Sequence, residues 1–483
     1  MRLARFDRRV WAPALALGLV LAVGASAFPY TVDDAYVIAR YARRLASGAG
    51  WGLEDGAITD GVTGPLAIVP FVIAEWLGFD SIVFAKLVGL GCGAWAAALV
   101  CRAAMRHALG GPSGWLVALV AGSGATLGIW SVAGLETGMA TLAATTASLS
   151  TISRPRPHGV GLGVSIAALA WLRPEAAVLA AALLSACAAR DKRQALVALG
   201  LAILGALSVM GFRMALFGSA LPLAWDAKPG EFDRGFFYVL RALIVCTGLF
   251  SGVVLAIAAA RKSRILRALS IALSLHLAAV LLVGGDWMPG FRLLAPIIPS
   301  YALLAGLGGA RALALWRGER KRVAMLLLVC AIGVPAVDAL VQVPRARDAG
   351  RTREAVGHEL ARSIAELAGT TPVALVDVGF LPWIGGFRTL DLGGITDPAI
   401  GRLSGAHLAK PISPELLSVR GVSVIVLRSF VAPRIGPNDE LTWMSAEPVE
   451  ERLARAPWVH EHFRVAQVVA WSDSYFYVIM VRR

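Results

Sequence analysis

The strongest constraint on this chain is a series of apolar segments, each near the length of a membrane crossing, repeated from residue 10 to residue 343. They lie near 10–29, 81–101, 113–131, 137–151, 160–172, 175–189, 195–215, 236–259, 265–283, 293–312 and 323–343, and hold little charge. A helix needs roughly 20 apolar residues to cross the hydrocarbon core. In lipid the backbone can satisfy its own polar groups only as a helix or a closed barrel. The pattern predicts a polytopic α-helical membrane protein with about 11 spans. Composition agrees, with 57% hydrophobic and only 16% charged residues, against roughly a quarter charged in soluble domains.

Net charge is +14, from 46 Lys+Arg against 32 Asp+Glu. In a soluble protein that excess would suggest nucleic acid. Here it falls in short loops between apolar runs: RLARFDRR, RAAMRH, SRPRPHG, ARDKR, ARKSRILR and RGERKR. Cytoplasmic retention of Lys and Arg during insertion explains such loops, so no nucleic-acid partner is expected. Placing all of them inside requires that the apolar stretch 65–77 does not cross, which makes it a partial or juxtamembrane helix. The basic start and the apolar run of 10–29 read as an uncleaved first helix, although ASA at 25–27 imitates a signal-peptidase site. The five cysteines, Cys92, Cys101, Cys187, Cys246 and Cys330, lie in or beside apolar runs without metal spacing and read as packing thiols.

This topology sorts the unusual polar residues to the external face: TVDDAYVIARYARRLASGAGWG (31–52), GLETG (134–138), LRPE (172–175), FGSALPLAWDAKPGEFDRG (217–235) and GGDWMPGFR (284–292). From residue 345 the composition changes. REAVGHELARSIAEL reads as a helix, while TPVALVDVG, GVSVIVLRS, FRVAQVVAW and SYFYVIMV read as strands. The expected organisation is a membrane domain over 1–344, with a first external loop at 30–64, and an extracytoplasmic α/β domain over 345–483.

Within the external set, Asp33 and Asp34 stand out. Adjacent carboxylates at a membrane exit repel and lose solvation unless something cationic engages them. They would suit a general base, or the holding of a divalent metal or a sugar hydroxyl. The plain alternative is two solvated acids at a helix end. Tyr36, Arg40, Tyr41, Arg43 and Arg44 follow at helical spacing, as in an amphipathic helix lying at headgroup height. Glu136 and Glu175 each close an apolar helix, and Arg173 precedes Pro174; a structural Arg–Glu pair between helices is the alternative to a functional site. Lys228 and Arg292 are candidate anion holders, with snorkelling to headgroups as the alternative. Asp286 and Trp287 share the short loop with Arg292. His276 reads as packed within a span, and His358, His407, His460 and His462 have no metal-like partners by spacing. No nucleotide loop, HExxH or GxSxG occurs.

Taken in order, these segments resemble the polytopic GT-C glycosyltransferases that use polyprenyl-phosphate sugars. More narrowly, they are similar to the mycobacterial terminal arabinofuranosyltransferase type and its bacterial relatives. The shared series is DDAY…RYA, GVTGPL (61–66), GLET, RPE, the LPLAWDAK segment, GGDWMPGFR, and DVGFLPWIGGFRTLDLGGITDP (377–398). Relatives carry an aromatic where this chain has Val62, a departure that bears on sugar or acceptor choice. The resemblance implies a bacterial inner-membrane enzyme working on the periplasmic or cell-wall side. Its donor would be a polyprenyl-phosphate-linked sugar, with D-arabinofuranose the best guess, delivered within the bilayer. Its acceptor would be a cell-envelope polysaccharide, glycolipid or protein. Asp33 or Asp34 would take the acceptor proton, and Arg292, Lys228 and Arg173 would hold the lipid phosphate. Asp286 and Trp287 would position the sugar or orient Arg292, with Tyr36, Arg40, Glu136 and Glu175 in support. The region of Asp377, Asp391 and Asp397 would close over the cavity. Another sugar on the same scaffold, a lipid or glycan transporter, and a non-enzymatic scaffold remain as alternatives.

Overall fold

The computed structural model describes residues 8–54, 58–106, 111–228, 232–245, 263–286 and 288–483, with Ser251, Val254 and Ile257 as single positions between them. Trp287 and Cys246 lie outside the described residues. All eleven apolar segments are helical over most of their described residues. Five described helices are long and apolar enough to cross a membrane: Ser81–Met105, Lys192–Phe217, Arg264–Leu282, Arg292–Leu315 and Gly318–Ala368. The segment expected as a single span at 113–131 is instead two helices, Pro112–Gly122 and Ala125–Val132, bent by 57°. The break falls before Gly124, whose backbone is extended. Counted as one span, that pair raises the total to six, and Val10–Ser26, Gly159–Leu172 and Pro174–Ala188 are shorter apolar helices.

Packing in the helical half depends on small residues. A Cβ on Gly138 would fall 2.1 Å from the Gly89 carbonyl oxygen, and one on Gly89 would fall 2.4 Å from that of Ser131. Backbones this close let three helices share contact where lipid provides no hydrophobic drive between them. The stretch 65–77 forms a 3₁₀ turn at Pro65–Ile68 and a helix at Val69–Leu77, ended by left-handed Gly78. At 1.5 Å per residue it is roughly 20 Å long, short of the hydrocarbon thickness of about 30 Å.

The helix Gly318–Ala368 runs without interruption from the last span into the C-terminal domain, so residue 345 is helix interior rather than linker. The domain is built on seven strands: β1 Val373–Leu375, β2 Thr389–Asp391, β3 Val424–Ser429, β4 Arg434–Ile435, β5 Leu441–Trp443, β6 Phe463–Ser472 and β7 Tyr475–Arg482. The main sheet has the order β2-β1-β3-β7-β6, with β4 and β5 as a separate pair. β1 pairs in parallel with β2 and β3, through Val373↔Thr389 and Val373↔Val424, while β7 is antiparallel to β3 and β6. β1 and β3 are buried on both faces, as continuous apolar runs require. One face of the sheet shares a core with the segment that follows the first apolar helix: Tyr36, Trp51 and Ile38 pack with Phe380, Leu360, Val426 and Tyr477. That common core fixes the sheet domain over the loop that follows the first span.

Candidate active site

A cavity of about 400 Å³ lies between the helical half and the sheet domain. Its lining includes Asp33, Asp34, Glu136, Arg173, Glu175, Lys228, Arg292 and Asp377, residues drawn from both halves of the chain. The approach to Asp33 is tightly held. Lys86 donates to the Phe28 carbonyl, to the Tyr30 carbonyl at 3.1 Å and to Thr31 Oγ1 at 2.9 Å; Arg353 donates to the Thr31 carbonyl, and Val32 N–H to the Ala133 carbonyl at 3.0 Å.

The two adjacent carboxylates then take different tasks. Both begin the helix Asp33–Ala46, where unpaired N–H groups favour negative charge. Asp33 turns to the sheet domain: its Oδ2 accepts from Gly379 N–H at 2.9 Å and its Oδ1 from Phe380 N–H at 2.8 Å. Gly379 is packed so closely that a Cβ would fall 2.1 Å from the Asp33 carbonyl oxygen. Asp34 makes no hydrogen bond or ion pair among the described residues, and it lines the cavity.

Burial pushes the Asp33 pKa up to about 7 from 3.8, and the Asp377 carboxylate adds in the same direction; Arg353 and the Phe380 N–H pull the other way. The folded state therefore binds a proton between pH 3.8 and about 7 that the unfolded chain does not. Stability from this group is full below pH 3.8 and is lost as pH rises through about 7. Melting temperature is expected to fall from pH 5 to pH 8 in wild type, and Asp33→Asn is expected to flatten that slope. A slope unchanged by the substitution would rule this origin out.

Arg173 is clamped. Its guanidinium meets Glu136 at 2.8 Å, Glu175 at 3.1 Å and Thr137 Oγ1 at 3.0 Å, with its side chain only 5% exposed. It was expected to hold phosphate; the geometry instead commits it to two carboxylates that it holds against the cavity wall. Arg292 sits 2.8 Å from Asp286, although its Nε–H is not aligned for a hydrogen bond to that carboxylate. The turn before it forces Phe291 into left-handed backbone (φ 57°), and Trp130 Nε1 donates to the Gly290 carbonyl at 2.9 Å. Lys228 makes no ion pair among the described residues and lines both this cavity and a second one of about 310 Å³.

The roof is a charged network in the sheet domain. Asp377 accepts from Tyr477 at 2.6 Å and pairs with Arg428 at 3.1 Å, and Arg428 also meets the fully buried Glu450 at 2.9 Å. Asp391 and Asp397, expected near the cavity, serve as local caps. Asp391 accepts N–H groups from Gly393, Gly394 and Thr396, and Asp397 caps Pro398–Gly401 and pairs with Arg420 at 3.5 Å in a separate groove. Tyr36 and Arg40 are engaged within the fold rather than presented on an open helix face. Tyr36 packs edge-on to Phe380, and Arg40 pairs with Glu54 at 3.2 Å, because the sheet domain covers their helix.

Several residues were invisible to motif reading. Arg213 bonds the Asp60 carboxylate and the Thr63 carbonyl, which anchors the GVTGPL element to the helix Lys192–Phe217. Thr63, Arg234, His407, Arg428 and Tyr475 also line the cavity. His276 is packed as expected, with Nε2 at 3.2 Å from the Leu293 carbonyl. Asp33 and Asp34 do not by themselves make a built metal site. Both Asp33 oxygens are occupied by backbone N–H groups, and no three His, Cys, Asp or Glu side chains converge among the described residues.

A family model described as a domain of unknown function, DUF8728, matches residues 345–477. No curated protein matches the chain. Among solved structures, ArnT from Cupriavidus metallidurans bound to undecaprenyl phosphate is similar over 98% of this chain and 97% of that one, at TM-score 0.55 and 13% identity. The same protein in the apo state gives TM-score 0.54 at 13% identity, over 97% of each chain. The oligosaccharyltransferase of Archaeoglobus fulgidus in the apo form is similar over 86% of this chain and 69% of that one, at TM-score 0.51 and 13% identity. The chain therefore has the GT-C fold, a polytopic helical membrane domain followed by a sheet-containing domain.

Proposed function

We propose that this chain is a membrane glycosyltransferase that moves a sugar from a polyprenyl-phosphate carrier to a hydroxyl of a cell-envelope polysaccharide, glycolipid or protein. The reading rests on one arrangement: an unpaired carboxylate, Asp34, and two cations, Lys228 and Arg292, line one cavity. The shared fold with a protein solved with undecaprenyl phosphate bound supports the choice of carrier. In this reading Asp34 takes the proton of the acceptor hydroxyl as its oxygen bonds to the anomeric carbon. The bond from that carbon to the phosphate oxygen breaks, and the electron pair leaves with the lipid phosphate. Lys228 and Arg292 stabilise the charge that grows there. Arg173 positions Glu136 and Glu175 for sugar hydroxyls. Asp33 holds the sheet domain in place, and Asp377 and Tyr475 face the acceptor. The membrane domain spans 1–344 and the acceptor-facing domain 345–483, in a bacterial cytoplasmic membrane with the cavity on the outer side.

D-Arabinofuranose is the proposed sugar, carried by the ordered motifs from DDAY to ITDP. The test is transfer in nanodiscs from synthetic polyprenyl-phospho-arabinofuranose to short arabinan acceptors, with a polyprenyl-phospho-mannose donor in parallel. Transfer from the arabinosyl donor alone supports the assignment. Transfer from the mannosyl donor alone replaces the sugar and keeps the class. Binding of both donors without transfer from either would favour a carrier of lipid-linked sugar over an enzyme.

A further inference from the structure

The two cavities share a wall. Thr63, Glu175, Lys228, Arg234, Arg292 and His407 line both. Of these six, only His407 comes from the sheet domain. The rest of the second cavity includes Asp286 and, at its edge, Trp225, Leu282 and Val283, whose side chains are exposed, as an opening toward lipid tails requires. The shared wall thus gathers the cations Lys228, Arg234 and Arg292 beside the chamber that holds Asp34.

His407 is unusual on this wall. Its loop is held through Leu408, whose carbonyl accepts from Val449 N–H at 2.9 Å and whose own backbone is left-handed (φ 59°). The ring lies against Gly393, where a Cβ would make ordinary contact with His407 Cε1 at 3.6 Å. Neither ring nitrogen has a hydrogen-bond partner among the described residues, and Nδ1 is buried. Buried side-chain nitrogens normally find a partner, so this one awaits a ligand or a solvent molecule. Burial, and then the charges of Lys228, Arg234, Arg428 and Lys410, push its pKa down to about 2. The ring is therefore neutral at physiological pH, with one N–H to donate and one lone pair. Glu175, Asp286, Asp377 and Glu447 are among the acids that line the two cavities with it, and none of them bonds the ring.

We propose that His407 donates a hydrogen bond to the phosphate of the polyprenyl carrier at the junction of the two cavities, so that the sheet domain supplies one of the groups holding the leaving group. The inference rests on the glycosyltransferase reading above. The phosphate is a diester with one charge in the donor, and after transfer it is a monoester that gains charge near neutral pH. A neutral donor beside Lys228 and Arg292 gives this oxygen a directed bond without a further full charge to retain the product. His407 gains and loses no proton in the step.

The test is equilibrium binding of undecaprenyl phosphate to the full chain in detergent, read by native mass spectrometry, because the carrier is common to any sugar. Undecaprenol, which lacks the phosphate, is the control. His407→Ala is expected to weaken undecaprenyl phosphate binding about tenfold or more, as for a lost hydrogen bond to a charged group. It should leave undecaprenol binding and melting temperature unchanged. His407→Asn or His407→Gln, each retaining an amide N–H, should recover most of the loss. Wild-type affinity in His407→Ala overturns the inference, and so does an equal loss for undecaprenol or equal losses in all three variants. Failure of folded wild type to bind undecaprenyl phosphate overturns the glycosyltransferase reading itself, and the inference with it.

Discussion

Asp34→Asn is expected to lower sugar transfer by about 10²–10⁴-fold, the contribution of a placed general base. It should leave insertion, donor binding and melting temperature unchanged, because Asp34 makes no bond within the described residues that the fold could lose. Asp33→Asn should behave differently. The amide has a single acceptor oxygen, so one of the Gly379 and Phe380 N–H groups loses its partner. A buried donor left unpaired costs about 1–3 kcal/mol. Transfer and stability should therefore fall together in Asp33→Asn, while Asp34→Asn loses transfer alone. Near-wild-type transfer from a purified Asp34→Asn variant would remove the base from Asp34, and retained transfer with lowered stability in Asp33→Asn would assign Asp33 to architecture only.

The second large effect concerns Arg292. Arg292→Gln removes a cation from the leaving phosphate, and loss of one such stabilising group costs about 10²–10³-fold in turnover. It also leaves Asp286, whose side chain is only 5% exposed, without its ion pair. Breaking a buried pair from one side costs about 3–5 kcal/mol. The variant alone would confound the two effects, so the pair is the better experiment. Arg292→Gln with Asp286→Asn should regain much of the melting temperature and none of the turnover. Recovery of both would mean that Arg292 only neutralises Asp286. Recovery of neither would place the stabilising role of Arg292 in its contact with the Trp130 ring, 5.7 Å from the guanidinium.

Hydropathy located the helices, because lipid admits few alternatives for an apolar run. It could not locate the 57° break before Gly124, since a glycine in an apolar run is equally compatible with a straight helix. The pairing of Asp286 with Arg292 was legible because a nine-residue loop with glycines and a proline leaves opposite charges few other partners. The clamp on Arg173 was legible only as an alternative, for Glu136 and Arg173 meet through packing of separate helices. The amphipathic period of Asp33–Ala46 was read correctly, but which surroundings its aromatic face meets depends on a domain far along the chain. The split between Asp33 and Asp34 was illegible, because backbone N–H donors such as those of Gly379 and Phe380 leave no mark in a sequence. His407 was set aside for a related reason: its significance comes from Lys228 and Arg234, which only the fold brings beside it.

The bond from Asp33 to Gly379 joins residues 346 positions apart, and it imposes an order on biogenesis. At about 5–20 residues per second of synthesis, Asp33 waits roughly 17–70 s between leaving the ribosome and meeting its partner. During that interval the aromatic face of the helix carrying it is uncovered, and the chamber has no roof. Such long-range closure is entropically slow and comes after local helices have formed. The nascent chain therefore passes through a state with its early helices made and the sheet domain still absent. The roof is complete only when the last tenth of the chain has delivered β7, whose Tyr477 donates to Asp377. A ribosome that stops early therefore releases a helical bundle whose cavity lacks the wall that the sheet domain supplies.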